Sequence, residues 1–318
     1  MITPFGGKTS STPPLRSHAS DPSVSVIIPA YNQAGYIRAA IDSALAQTWR
    51  DFELIVVDDG STDETPEEIR SYGDRIRGFR KDNGGGASAM NFGLRRARGR
   101  WIAWLSADDA WEPNKLERQM EAVRGNRSVG LVYTDFIWID RAGRPLRRFS
   151  MPTVSTRASR LLRLLWGCYV NGSSALIRRD VFDKVGFFDE RDRFTPDYDF
   201  WIRVAMGHEM LRVPEPLVSY RIHGTQSSGN ILRMTEARHR VAARALPRMG
   251  RLVGTLGVVV HVSYSILRLT WDIRRKRTGR GVSPLRLLPP LAGFFVLLVR
   301  SGPERSPVVP GTEPLRGP

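Results

Sequence analysis

The chain has 318 residues and a single cysteine, Cys168. One thiol cannot close an internal disulfide, so a disulfide framework is excluded and a reducing cytosol fits. No stretch reaches the roughly 18 uncharged apolar residues that a spanning helix needs. Residues 252–267 and 287–299 come nearest. Residues 1–23 lack the apolar core of a secretory signal and are rich in Ser, Thr, Pro and Gly, which reads as a disordered arm. A Rossmann dinucleotide site needs Gly-x-Gly-x-x-Gly after the first strand, and Pro29-Ala-Tyr-Asn-Gln-Ala-Gly35 stands there instead. The P-loop pattern is absent too. Acidic residues are outnumbered, 32 against 48 Lys and Arg, giving a net charge of +16. With 41% hydrophobic and 25% charged residues, the chain is otherwise ordinary globular material, neither wholly disordered nor a multi-span membrane protein.

A charge of this size suggests an anionic partner, nucleic acid or a membrane surface. The charge is segregated, however. Residues 231–318 hold 16 basic and 4 acidic groups, net +12, which leaves the first 230 residues at only +4. A genomic preference for Arg explains the choice of Arg over Lys but not this segregation.

Strands are expected at 24–28, 52–57, 101–105 and 129–134, short apolar runs rich in β-branched or aromatic residues, with a weaker strand pattern at 76–79. Helical spacing follows the first of them at Ile37, Ala40, Ile41, Ala44 and Leu45. Further helices are expected after 62–63, from the Asn83-Gly-Gly-Gly86 turn to Gly99, and from Pro113 to about Val123. Strands alternating with helices and joined by short loops predict an α/β fold with a doubly wound, mostly parallel sheet and helices on both faces. The second half is less regular: a hairpin around 141–144, a helix at 157–166, a strand-like stretch at 173–178, a helix at 195–208 and a last strand at 217–222. The Gly84–Gly86 run reads as a flexible turn.

In open α/β sheets, ligands bind beyond the carboxyl ends of the strands. Three such ends carry polar signatures: Pro29-Ala-Tyr-Asn32, Asp58-Asp-Gly-Ser61 and Ser106-Ala-Asp-Asp109. Any one Asp here could be a loop or capping residue. Two double-Asp ends on one edge repel each other unless a cation or donors intervene, and oxygen ligands favour Mg²⁺ or Mn²⁺.

Val24-Ser-Val-Ile-Ile-Pro-Ala-Tyr-Asn32, Ser43-Ala-Leu-Ala-Gln-Thr48 and Phe52-Glu-Leu-Ile-Val-Val-Asp-Asp-Gly-Ser-Thr-Asp63 resemble the family 2 glycosyltransferases. So do Trp104-Leu-Ser-Ala-Asp-Asp109, Val185-Gly-Phe-Phe-Asp-Glu190, Pro196-Asp-Tyr-Asp-Phe-Trp201 and Tyr220-Arg-Ile-His223. The resemblance covers about 24–228 and implies a GT-A type fold. The expected organisation is a nucleotide-binding half at 24–135, an acceptor-binding half at 136–230 and a basic, apolar, helical C-terminal extension at 231–318.

By the resemblance, Pro29, Ala30, Tyr31, Asn32, Asp59, Asn91 and Ser106 would serve the nucleotide, with Asp59 accepting a bond from a uracil-type N–H. Asp108 and His223 would hold the metal, with Ser106 standing where the family has the first Asp of its metal motif. Asp109 is expected to brace the site, and Met90 stands where the family often has Arg. Asp197 aligns with the catalytic base, which must take a proton from the acceptor hydroxyl. Asp199, two residues on, reads as a solvated or capping carboxylate.

The resemblance thus implies an inverting enzyme. It would move a sugar from a nucleoside-diphosphate sugar, UDP-linked by expectation, to a saccharide or lipid-linked acceptor, with Mg²⁺ or Mn²⁺. A catalytically weak sugar-nucleotide binding protein is the alternative that Ser106 motivates. Nucleic-acid binding would rest on charge alone, and nucleic acid is not among the expected partners. A processive synthase would need a Gln-x-x-Arg-Trp motif and spanning helices. The tail reads as membrane-surface attachment, its apolar faces in the interface and its Arg residues on anionic headgroups, placing the protein at the inner face of the cell membrane. The competing reading is an amphipathic helix packed on the catalytic domain.

Overall fold

The computed structural model describes residues 3–4, 21–224, 226, 231–250, 253, 255–260 and 263. The expected arm at 1–23 falls largely outside these. Within it, Thr3–Pro4 is described as a two-residue edge strand.

The described part is an α/β fold. Its first half contains β1 (Val24–Ala30), α1 (Ile37–Leu45), β2 (Phe52–Asp58), α2 (Thr65–Arg70), β3 (Arg77–Arg80), α3 (Gly86–Leu94) and β4 (Trp101–Trp104). Then come β5 (Ala110–Trp111), α4 (Lys115–Ala122), β6 (Val129–Ile139), β7 (Pro145–Phe149), α5 (Arg157–Trp166) and β8 (Leu176–Arg178). The last elements are α6 (Arg179–Val185), α7 (Pro196–Gly207), β9 (Glu209–Arg221) and α8 (Ile231–Ala245). The sheet runs β3-β2-β1-β4-β8-β6-β9-β5, with Thr3–Pro4 beyond β3 and β7 paired to β6. Strands β3, β2, β1 and β4 are mutually parallel. Strand β8 enters antiparallel between β4 and β6.

Strands β1, β2 and β4 of the parallel half are mostly apolar along their length because helices cover both faces of the sheet. In β1, Val24, Val26 and Ile28 join a core with Ile37, Ala40, Ile41 and Ala44 of α1. Ile27 points to the other face, against α3. A Cβ at Gly93 of α3 would lie 2.6 Å from Ile27 Cγ2, so only glycine lets helix and strand approach this closely.

Two expected strands prove longer. Strand β6 runs through the expected 129–134 strand and the first arm of the hairpin without a break. Strand β9 starts at Glu209 rather than 217 and pairs in parallel with β6, with register shifts around Pro216. Proline removes a ladder donor and marks a bulge, which hid the strand's first half. Helix α6 was not foreseen.

In the extension, α8 buries Ala237, Val241 and Ala242 and rests Arg238 5.0 Å over the Tyr198 ring of α7. This described portion follows the packed-helix reading. Beyond it, residues 255–260 are helical, and Gly257 sits against Leu165 of α5. Among the described residues no helix is long and apolar enough to cross a membrane. The 287–299 stretch and the basic cluster at 274–277 lie outside the described residues.

Candidate active site

The loops after β1 and β2 are stitched together. Asn32 takes a left-handed backbone (φ 51°), donates its N–H to Ser61 Oγ at 2.9 Å and accepts from the Thr62 N–H at 2.8 Å. Next to it, Gln33 donates its N–H to Thr65 Oγ1 at 2.7 Å. These bonds hold Pro29, Ala30 and Tyr31 at the carboxyl end of β1, with Ala30 buried and Tyr31 46% exposed.

Asp58 and Asp59, adjacent in sequence, divide their work. Asp58 is buried, accepts from the Ser61 N–H at 3.0 Å and faces Arg80 at 3.4 Å. Asp59 is also buried but is met by donors: Lys81 Nζ at 2.6 Å, the Gly85 N–H at 2.7 Å and the Gly84 N–H at 3.1 Å. The glycine run that reads as a flexible turn in sequence is thus pinned to a carboxylate. Gly60 is required in the same place: its φ is +77°, and a Cβ there would lie 2.9 Å from the Asn83 nitrogen.

Asn91 is buried and ties α3 to the 185–190 segment. Its Nδ2 donates to the Phe188 carbonyl at 2.9 Å and to Glu190 at 2.8 Å, and its Oδ1 accepts from the Phe188 N–H at 3.1 Å. Both amide donors are engaged within the protein and brace α3 against this segment.

The turn after β4 separates its two carboxylates. Ser106 donates its N–H to Ser173 Oγ at 3.0 Å. Asp109 turns inward, fully buried, and accepts from Ser173 Oγ at 2.5 Å and the Arg221 N–H at 2.9 Å. Burial pushes its carboxyl well above the usual range and the Asp108 charge adds to this, while Ser173 and Arg221 oppose it. Asp108 turns outward, about one-fifth exposed, and meets His223 Nε2 at 2.9 Å. Arg221 clamps this corner. Its Nε donates to the Asp108 carbonyl at 2.9 Å, another nitrogen to the carbonyls of Asp140 and Arg141 at 3.1 and 3.0 Å. Tyr36 packs 5.0 Å from the His223 ring and 5.0 Å under the Arg221 guanidinium.

Asp197 lies in the first turn of α7, behind Pro196. Asp192 fixes the approach to this helix by accepting from the N–H groups of Phe194 and Thr195, both at 3.0 Å. Phe188 packs at a tilt 4.5 Å from Phe200 of α7 and edge-on 5.3 Å from Trp104. Burial pushes the Asp197 carboxyl up to about 6 against a bond from the Tyr198 N–H and the Arg238 charge, and Asp192 adds to the push. Taken over the whole residue, Asp197 is half-buried. Cys168 also touches solvent, yet the protein around it and the nearby Asp197 charge push its thiol up to about 12. Asp199 faces elsewhere and pairs with Arg203 at 2.8 Å.

The structure thus joins Asp108 to His223 and braces the pair through Asp109. Lys81, Ser173 and Arg221 were not among the expected site residues. Arg221 lies within Tyr220-Arg-Ile-His223, but Lys81 and Ser173 carry no signal in sequence, since their partners are remote along the chain.

Glycosyl transferase family 2 matches residues 25–186. An uncharacterised glycosyltransferase of Rickettsia typhi is 38% identical over 230 residues, covering 70% of this chain and 71% of its own. A protein of Bacillus subtilis named for teichuronic acid biosynthesis is 33% identical, covering 66% of this chain and 82% of its own. Among solved structures, residues 1–349 of S. aureus TarS with UDP-GlcNAc superpose with a TM-score of 0.61 at 17% identity, covering 77% of this chain and 72% of that one. The chain spans 43% of a longer TarS chain. A Pyrobaculum calidifontis mannosyltransferase with GDP-Man and Mn²⁺ superposes with a TM-score of 0.57 at 19% identity, covering 89% of this chain and 82% of that one. These likenesses show a GT-A glycosyltransferase fold.

Proposed function

We propose, from the premise that this chain belongs to the family 2 glycosyltransferases, that it transfers a sugar from a UDP-linked donor to an acceptor hydroxyl with inversion, in the synthesis of a cell-surface glycan or lipid-linked saccharide. The observation that carries this reading is the Asp108–His223 pair at 2.9 Å on the sheet edge where open α/β folds bind ligands. The loop ends around Pro29, Ala30, Tyr31, Asn32, Asp59 and Ser106 would receive the nucleoside.

The donor set fits a divalent ion. Asp108 supplies a partly exposed carboxylate oxygen and His223 an imidazole nitrogen, both ligands that Mn²⁺ or Mg²⁺ accepts. Among the described residues no third acidic, His or Cys ligand joins them, so donor phosphate oxygens and water would complete the shell. Such an ion would neutralise charge on the diphosphate leaving group. The comparison carries the same direction, since the Pyrobaculum calidifontis enzyme holds Mn²⁺ with its GDP-Man.

Asp197 serves as the base. With its carboxyl near 6 it is ionised at neutral pH yet basic enough to take a proton. It accepts the acceptor hydroxyl's proton as that oxygen bonds to the anomeric carbon. The bond from that carbon to the diphosphate breaks on the opposite face, and its electron pair leaves with the nucleotide. The basic remainder of the tail supports attachment to an anionic membrane surface at the inner face of the cell membrane. Deleting residues 267–318 and finding unchanged membrane fractionation would refute that attachment.

The test of the base is Asp197→Asn, with donor binding and transfer measured separately. Retained donor affinity with lost transfer is expected, and full transfer would overturn the assignment. A binding protein without catalysis, the reading that Ser106 motivates, predicts no metal-dependent donor hydrolysis by the purified wild type.

A further inference from the structure

A cavity of about 490 Å³ opens where α7, α8, the segment after α6 and the turn Leu246–Arg248 meet. None of its lining residues belongs to the site described above. Four guanidiniums and two carboxylates border it, a net charge of +2.

The two carboxylates are satisfied by their neighbours. Asp189 pairs with Arg191 at 3.0 Å and Arg244 at 3.2 Å. Asp199 pairs with Arg203 at 2.8 Å and Arg244 at 3.7 Å. Arg203 is otherwise spent on the backbone carbonyls of Val185, Gly186 and Phe187. Three guanidiniums keep donors for a ligand. Arg248 is exposed and has no ion-pair partner among the described residues. Arg191 and Arg244 hold the carboxylates while their side chains remain 90% and 50% exposed. Phe187, 45% exposed, adds an apolar wall.

We propose that this cavity binds a phosphate group carried by the acceptor saccharide. A planar carboxylate is met by one guanidinium fork, whereas a phosphate dianion offers three oxygens to donors from several sides. Arg191, Arg244 and Arg248 come from two separate chain segments, and the net charge matches a dianion. Phe187 can lie against the apolar face of a sugar ring. The link to transfer rests on the reading of Asp197 given above. Asp199 in the cavity wall and Asp197 are two residues apart on α7, a spacing that turns them to different sides of the helix. The phosphate read here is therefore remote from the reacting hydroxyl. Arg244 and Arg248 also lie beyond the family match at 25–186, which suits a role in acceptor choice and not in the shared chemistry.

The test is calorimetric titration of the full chain, in chelator, with inorganic phosphate, glucose 1-phosphate and glucuronate. The wild type is expected to bind both phosphates, glucose 1-phosphate at least as tightly as inorganic phosphate. The double variant Arg191→Ala, Arg248→Ala should weaken both by about tenfold or more. Arg179→Ala, an exposed arginine outside the cavity, should leave them unchanged. Arg248→Glu should weaken them further than Arg248→Ala. Equal binding by wild type and double variant would place phosphate elsewhere, in the donor site for example, and overturn the proposal. So would tighter binding of glucuronate, or inorganic phosphate exceeding glucose 1-phosphate tenfold. Donor hydrolysis by the double variant should stay at the wild-type rate, so failure here is distinguishable from failure of the Asp197 reading.

Discussion

Asp108 and His223 stand 115 positions apart in the chain and meet at 2.9 Å. One follows a strand of the parallel half, and the other follows the last strand of the mixed half. Their contact depends on Arg221 and Asp109, which lock the end of β9 to the turn after β4.

Asp108→Asn and His223→Ala should each reduce metal-dependent donor hydrolysis by about a hundredfold, the scale of removing one group that stabilises developing charge. Raising Mn²⁺ should recover part of the His223→Ala loss, because a weakened site still fills at higher concentration. Hydrolysis by both variants at the wild-type rate would dissociate the pair from the leaving group.

Asp197→Asn should lower transfer by about 10²- to 10⁴-fold, the usual worth of a positioned base. In the wild type, kcat/KM should fall on the acid side with a midpoint near 6, where this carboxyl takes up its proton. The stability effect has the opposite sense. A carboxyl raised from 3.8 to about 6 binds its proton more tightly folded than unfolded, so ionising it costs stability as pH rises through that window. Melting temperatures at pH 7.5 should therefore show Asp197→Asn no less stable than wild type.

Lys81→Met should destabilise the fold by about 3 kcal/mol, the cost of leaving a buried carboxylate without its cation. Asp59 would retain only the N–H groups of Gly84 and Gly85. Denaturant unfolding measures this directly. The double change with Asp59→Asn should recover part of the loss, since the charge is then gone as well.

Gly93→Ala should cost about 1–3 kcal/mol by overpacking, because the new methyl meets Ile27 at 2.6 Å. The added change Ile27→Val trims the opposing side chain and should return part of it.

The parallel half was legible in sequence because its signals are local. Val24 to Ile28 is apolar at every position but Ser25, the strand it forms ends just past Pro29 at Ala30, and Asp58 to Ser61 ends the next. Such patterns follow from burial on both faces of a sheet and need no knowledge of distant partners. The second half was read less well. Pro214 and Pro216 interrupt β9 in sequence, yet the strand continues because β6 pairs with it on both sides of the irregularity there.

Sequence by itself determined the family, the order of the strand ends and the residue types that gather at them, since these are carried by short contiguous motifs. Tertiary structure decided what each of those residues does. It turned Asp109 inward and Asp108 outward, spent the donors of Asn91 on Phe188 and Glu190, and pinned the glycine turn to Asp59. It also packed α8 on α7, so that arginines belonging in sequence to a basic tail border a cavity beside α7. Hydrogen bonds and ion pairs depend on ångström-scale positions of groups remote along the chain, and a linear pattern of residue types does not contain those positions.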